Sequence, residues 1–351
     1  MITVAFQPFE CAQTASGRTE ALDDILELGM GFARAKTLLS AAELDVFSEL
    51  AKAPLTLEAL AERLGIHRRG ARDFFDALVA LGILEREDGL YRNTPLADLY
   101  LDRAKPSYIG GRLELWSRMY RTWDRLTEGL RTGQPQDAVV ASGATLFEGL
   151  YREPESLRSF LRGMAGGSLI LGEAIARRFP WKRYRSVVDV GTAQGALVVQ
   201  LALAHPDLEG IGFDLPPVQP VFEEYVASFG LTGRLRFEAG DFFSDPLPEG
   251  EALVMGRILH NWNLEQKRTL LAKAFDALPP GGALIVYESI IDDERRHNVF
   301  GLIASLLMLL MTQGGFDYTA ADCQGWMQQT GFRQTYVEPL TRHESMVVAI
   351  K

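Results

Sequence analysis

The chain has 351 residues, enough for two domains and a large core, with a hydrophobic fraction of 47% and a charged fraction of 23%, as in ordinary globular proteins. A formal net charge of -10 argues against non-specific nucleic-acid binding, and two distant cysteines, Cys11 and Cys323, make neither a disulfide framework nor a zinc pattern, so no metal is expected. There is no basic, then apolar, leader-like start, and the longest apolar run, Leu302 to Met311, is too short to span a bilayer. The expected compartment is therefore the cytoplasm, with no membrane partner.

Residues 1 to about 18 are unpatterned and read as an arm. From Glu20 to Leu50 apolar residues recur at helical spacing, with Gly29 and Gly31 weakening the first helix. Residues 56 to 94 carry a helix, turn, helix and wing. Thr56 caps a short helix to Leu64, and Gly65 turns the chain. A second helix, His67 to Leu81, presents Phe74, Phe75, Leu78 and Val79, and Asp88-Gly89 turns a two-stranded wing between Ile83 and Tyr91. This winged-helix pattern has a DNA-binding reading through His67, Arg68, Arg69 and Arg72. Glu58, Glu62, Glu85, Glu87 and Asp88 surround those bases and favour a scaffold or dimerisation module, with no nucleic-acid partner.

Residues 108 to 131 read as one long helix in which Trp116, Tyr120 and Trp123 share a face. Such a stripe suits a protein core or a wall for a flat aromatic ligand. Residues 145 to 179 read as two further helices. Gly163, Gly166 and Gly167 lie inside this helical pattern at about 1 kcal/mol each relative to alanine, so a close backbone approach is expected there.

The remainder alternates strands and helices. Val187 to Val190 reads as a buried strand leading through Gly191-Thr192-Ala193-Gln194-Gly195 into a helix, the opening of a βαβ unit. A second strand ends at Asp214, about twenty residues on, where an acid is placed to bind ribose hydroxyls. Further strands are read at Leu235–Phe243, ending in Gly-Asp-Phe, Ala252–Met255 and Ala283–Glu288, with a last pair near Gln334 to Glu338 and Ser345 to Ile350. Helices are read at Leu264–Ala277, Val299–Met311 and Thr319–Thr330. The pattern is α/β, with a mostly parallel sheet and an antiparallel edge.

The ordered set Asp189-Val190-Gly191 with Gly195, Phe213-Asp214-Leu215-Pro216, Gly240-Asp241-Phe242-Phe243, Leu259-His260-Asn261-Trp262, Pro280-Gly281-Gly282 and Gly314-Gly315-Phe316-Asp317 resembles a known family. It is that of the S-adenosylmethionine-dependent small-molecule O-methyltransferases, the caffeate and acetylserotonin type with their bacterial natural-product relatives. The resemblance covers nearly the whole chain. It implies an N-terminal arm and winged-helix dimerisation domain over 1–107, a helical linker contributing to the substrate pocket over 108–180, and a Rossmann-like class I methyltransferase domain over 181–351. It also implies a homodimer and a methyl transfer from S-adenosylmethionine, leaving S-adenosylhomocysteine, to a hydroxyl of a small aromatic acceptor in secondary metabolism such as antibiotic biosynthesis.

Carried over by position, the resemblance assigns His260 as general base with Glu288 and Asp317 as the acids that orient or polarise it. It assigns Gly191, Asp214, Asp241, Phe242, Ser168 and Arg257 to the cofactor. Trp116, Tyr120, Phe160, Met164, Asn261 and Met308 are expected to face the substrate. The chemistry agrees with those roles: a phenol, pKa about 10, is mostly neutral at pH 7, and histidine, about 6.5, is free to take its proton. Two departures stand out. Thr192 and Ala193 replace the middle glycines of the usual loop, and Asn261 replaces the aspartate that usually follows the base. The alternatives are C- or N-methylation of an aromatic or amino-acid-like molecule, or a cofactor-binding protein with non-methylating chemistry. A winged-helix regulator that senses a nucleoside-like ligand is the reading from another class.

Overall fold

The computed structural model describes residues 15–105, 107–141, 151 and 154–351, which divide into two units, Met1–Asp102 and Arg103–Lys351. The arm over 1–14 lies outside the described residues. In the first unit α1 (Ala15–Gly29) and α2 (Gly31–Glu43) part at Met30 between the two glycines. Then follow α3 (Val46–Lys52), β1 (Leu55–Thr56), α4 (Leu57–Arg63), α5 (Arg68–Ala80), β2 (Leu84–Glu87), β3 (Leu90–Asn93) and α6 (Pro95–Leu101). Caps fix these boundaries. The Thr56 hydroxyl accepts the Ala59 N–H at 3.3 Å, and His67 Nδ1 accepts the Arg69 N–H at 3.3 Å. Asp88 and Gly89 both take positive φ, 49° and 77°, the turn that two short antiparallel strands require. The wing is three-stranded, in the order β1-β3-β2, over a core of Phe47, Leu60, Phe75, Leu78 and Tyr91.

In the second unit the helix expected over 108–131 is two: α7 (Gly110–Trp123) and α8 (Leu126–Thr132). The break falls at Asp124 and Arg125, where α8 turns to put Gly129 against Leu310; a Cβ on Gly129 would lie 2.9 Å from Leu310 Cδ2. After α9 (Ala138–Ala141), most of the first helix expected over 145–179 lies outside the described residues. The second is the 25-residue α10 (Pro154–Arg178). Its glycines are explained by α7: a Cβ on Gly163 would stand 3.0 Å from the Gly111 carbonyl oxygen and 3.1 Å from Leu115 Cβ. The two helices cross backbone to backbone.

The sheet domain then runs β4 (Ser186–Val190), α11 (Ala196–Ala204), β5 (Glu209–Asp214), α12 (Gln219–Ser228), β6 (Leu235–Ala239), β7 (Ala252–Gly256), α13 (Leu264–Ala277), β8 (Ala283–Glu288), α14 (Val299–Met311), α15 (Ala320–Thr330), β9 (Gln334–Pro339) and β10 (Ser345–Ile350). The seven strands lie in the order β6-β5-β4-β7-β8-β10-β9. Five are parallel, and β10 and β9 are antiparallel at the edge. Alternation decides the faces. Val187 packs with Leu197, Phe222 and Ile285 on one side, and Val188 with Leu270, Leu271 and Met327 on the other. Strand order reverses between β4 and β7, and a crevice opens at the carboxyl ends of the strands there, the place where open α/β sheets bind ligands. Among the described residues no helix is long and apolar enough to cross a membrane.

Candidate active site

A cavity of about 660 Å³ occupies that crevice, within the 300–1,000 Å³ typical of small-molecule sites. The strand ends contribute Gly191, Asp214, Asp241 and Phe242 to its wall. The segment after β7 adds Arg257, His260 and Asn261, and α10 adds Phe160, Met164 and Ser168. Trp116 comes from α7 and Met308 from α14. Tyr120, on the same helix as Trp116, is not among the described residues that line it, and Glu288 and Asp317 stand behind His260 rather than in the wall.

The loop after β4 shows why Thr192 and Ala193 are compatible with a ligand-binding turn. Gly191 (φ 73°) is packed so tightly that a Cβ would lie 2.3 Å from Ile258 Cδ1. The Thr192 hydroxyl donates to Asp189 Oδ2 at 2.8 Å. Ala193 holds φ 54°, uncommon for a residue with a Cβ, and its N–H donates to Asp214 Oδ2 at 2.9 Å, while the Leu215 N–H donates to Oδ1 at 2.8 Å. The loop thus orients the Asp214 carboxylate. Burial pushes Asp214 up to about 6, with the two backbone N–H groups and the Tyr151 hydroxyl acting against it. Burial also pushes Asp189 up to about 7, opposed by Thr192. Across the crevice the Asp241 carboxylate accepts the Phe243 N–H at 2.9 Å, and the Phe242 ring stands edge-on to Trp262 with centroids 5.8 Å apart.

His260 sits on a single 3-10 turn, Leu259–Asn261, immediately before the capping box of α13, in which Asn263 and Gln266 satisfy each other's backbone. Its backbone N–H donates to Glu288 Oε1 at 3.1 Å, and its Nδ1 lies 3.3 Å from Asp317 Oδ1. Asp317 is brought there by Gly315, where a Cβ would stand 2.5 Å from the His260 carbonyl oxygen. With Nδ1 engaged, Nε2 is the ring nitrogen left for a ligand. Burial works against charge on this imidazole, but the Asp317 carboxylate, with Glu288 behind it, raises its pKa above the ordinary histidine value. Burial raises Glu288 as well. Lys267 is fully buried beside them: its ammonium donates to the Trp262 carbonyl and stands 3.5 Å over the Phe316 ring. Burial lowers it to about 8 against the pull of Glu288 and Asp317.

The other histidines have structural settings. His67 caps α5, His205 Nε2 is 2.9 Å from the Ala176 carbonyl oxygen, the His297 N–H donates to Asp292, and His343 stacks on Phe300.

Comparison with known proteins decides the family. The O-methyltransferase domain matches residues 123–333 and the O-methyltransferase dimerisation domain matches residues 26–103. The chain belongs to the O-methyltransferase family. As a member it is an S-adenosylmethionine-dependent methyltransferase with a class I fold and an N-terminal dimerisation domain. It is 45% identical over 330 residues to the tetracenomycin polyketide synthesis 8-O-methyl transferase TcmO of Streptomyces glaucescens, covering 93% of this chain and 96% of that one. It is 36% identical to the N,N-dimethyltransferase OxyT of Streptomyces rimosus, again over 93% and 96%. The solved structure of human N-acetylserotonin methyltransferase in complex with S-adenosylmethionine superposes with a TM-score of 0.86 at 27% identity, covering 98% of this chain and 99% of that one.

For this O-methyltransferase the wall holds residues that sequence pattern does not single out: Arg112, Tyr151 and Tyr287. Arg112 had a signal, since it lies one helical repeat before Trp116 on the same face of α7. Tyr287 stands beside Glu288 at the end of β8, and a Cβ on Gly256 would collide with its ring, so that glycine marks where the phenol lies. Burial raises the Tyr287 phenol well above its usual value and keeps it neutral.

Proposed function

We propose that this enzyme methylates a hydroxyl of a small aromatic acceptor in secondary metabolism, with His260 as general base oriented by Asp317 and supported by Glu288. The observation that carries this reading is the His260 imidazole, in the cavity wall with Nδ1 directed to a buried carboxylate. Gly191, Asp214, Asp241, Phe242, Ser168 and Arg257 hold the cofactor. The residues fit that group: Asp214 is a buried carboxylate fixed by two backbone donors at the end of β5, with lone pairs left for ribose hydroxyls, and Gly191 holds the turn in the cavity wall at a positive φ with no Cβ to collide with Ile258. When bound, S-adenosylmethionine supplies an electrophilic methyl group.

The chain's own contribution is placement and proton transfer. Trp116, Phe160, Met164 and Met308 make flat, apolar wall against which an aromatic ring is positioned, with Asn261 beside the base. His260 takes the hydroxyl proton at Nε2, and Asp317 stabilises the imidazolium as the oxygen becomes nucleophilic. The polyketide acted on by TcmO is in keeping with an aromatic acceptor. A homodimer, acting in the cytoplasm, is part of the proposal; the exposed apolar row Leu22, Ile25, Leu26 and Leu28 on α1 supports it.

The test is His260→Ala assayed with S-adenosylmethionine and hydroxylated aromatics. Activity should fall about 10²–10⁴-fold while S-adenosylhomocysteine affinity holds. Undiminished turnover would sink the general-base role. It would favour the second reading, transfer to an amine, which the likeness to OxyT supports and which needs no base when the amine is already neutral.

A further inference from the structure

Apart from the face of the Trp116 ring, the Arg112 guanidinium has no partner among the described residues. Its guanidinium lies in the cavity wall, with Cζ 5.3 Å from the Trp116 ring centroid, and a Cβ on Gly167 would stand 3.1 Å from Nη1. Among the described residues it has no hydrogen bond and no ion pair. Three groups act on it electrostatically: Arg257, Glu344 and the phenol of Tyr287. Arg257 and Glu344 are already paired with each other, so this corner holds two guanidiniums against one carboxylate, and the phenol is neutral. Asp189, which acts on Tyr287 and accepts the Thr192 hydroxyl, is not among the groups that act on Arg112. Burial and the Arg257 charge press Arg112 down to about 9, which still leaves it charged at neutral pH. Arg112 is half-buried; a charge partly withdrawn from water gains from a partner, and a guanidinium fork matches the two oxygens of a carboxylate.

We infer that Arg112 is the recognition cation of a carboxylate subsite in this cavity, filled by a ligand rather than by the protein. The inference rests on the methyl-transfer reading above and extends it to a second recognition element. Two sources of the carboxylate are compatible with the geometry: the amino-acid end of the cofactor, near Gly191 and Ser168, or an acid group on the aromatic acceptor.

The experiment is calorimetric titration of the full chain and its Arg112→Gln variant with paired probes. S-adenosylhomocysteine is set against 5′-methylthioadenosine, which lacks the amino-acid end. With S-adenosylhomocysteine bound, 3-hydroxy-2-naphthoic acid is set against 2-naphthol. Arg112→Gln should weaken one carboxylate-bearing probe about 10- to 100-fold and its carboxylate-free counterpart by less than twofold. Loss on S-adenosylhomocysteine assigns the subsite to the cofactor, and loss on the naphthoate assigns it to the acceptor. Arg112→Lys, which keeps the charge and removes the fork, should fall between and serves if the glutamine variant does not fold. Unchanged S-adenosylhomocysteine affinity, together with no Arg112-dependent preference for naphthoate over naphthol, overturns the inference. Absence of any S-adenosylhomocysteine binding by the unsubstituted protein would instead overturn the methyl-transfer reading.

Discussion

Two clusters of charge border the same cavity, one buried and one half-buried, and they are built to opposite rules. Behind His260 the charges are matched within the protein: Asp317 and Glu288 face an imidazole and the Lys267 ammonium, sealed under Phe316 and Tyr318. Beside Arg257 the count among the described residues is uneven, because one carboxylate, Glu344, answers two guanidiniums. A closed cluster can fix the protonation state of a base without a ligand's help. An open one is completed only when a ligand brings the missing charge, which is how a site gains selectivity.

The comparison is broken most severely by removing the buried cation of the closed cluster. Lys267→Met leaves Glu288 and Asp317 without their ammonium, and stability should fall by about 3–5 kcal/mol, read by urea unfolding. Adding Glu288→Gln removes one of the stranded carboxyls and should recover part of that loss. If Lys267→Met alone is neutral, the two clusters do not differ as described. Asp317→Asn probes the same cluster through pH. The base must be neutral to act, so kcat/KM rises as pH climbs through the His260 pKa, which the carboxylates hold above the ordinary histidine value. Without the Asp317 charge, burial prevails and the pKa falls, so the acidic limb should move to lower pH by about one unit. A limb that stays in place would show that Asp317 does not govern the protonation of His260.

Much of this fold was legible because it depends on local pattern. Valine-rich runs such as Val187 to Val190 read as buried strands, Asp88-Gly89 read as a hairpin turn, and the helix from Thr319 began where its capping residue stands. The residues around His260 were legible through resemblance, and the loop, turn and strand ends that carry them converge on one cavity. What stayed hidden is tertiary. The break between α7 and α8 follows from Gly129 meeting Leu310, 181 positions away in the chain, which no window of helical periodicity contains. Lys267 lies in the first turns of α13 with the sequence pattern of a solvated lysine, and only the placement of Phe316 and Asp317 buries it. Arg112 lies one helical turn before the aromatic stripe that begins at Trp116, but a charge without a partner among the described residues is recognised only when the pairing of its neighbours is known.

The smallest effect is expected at the residue that joins the two clusters. Asn261 follows the base, and its side-chain amide donates to the carbonyls of Arg257 at 3.0 Å and Ile258 at 3.3 Å, bracing the turn that presents His260. An aspartate, the residue usual at this place in the family, cannot donate to those carbonyls. Asn261→Asp should therefore cost about 1 kcal/mol, a fall of roughly 2–4 °C in Tm for a domain of this size. The added negative charge beside His260 should also move the acidic limb of kcat/KM to higher pH, opposite in sign to Asp317→Asn and smaller. A stabilised Asn261→Asp variant would show that the turn is braced by other contacts, and that the asparagine acts on the ligand side.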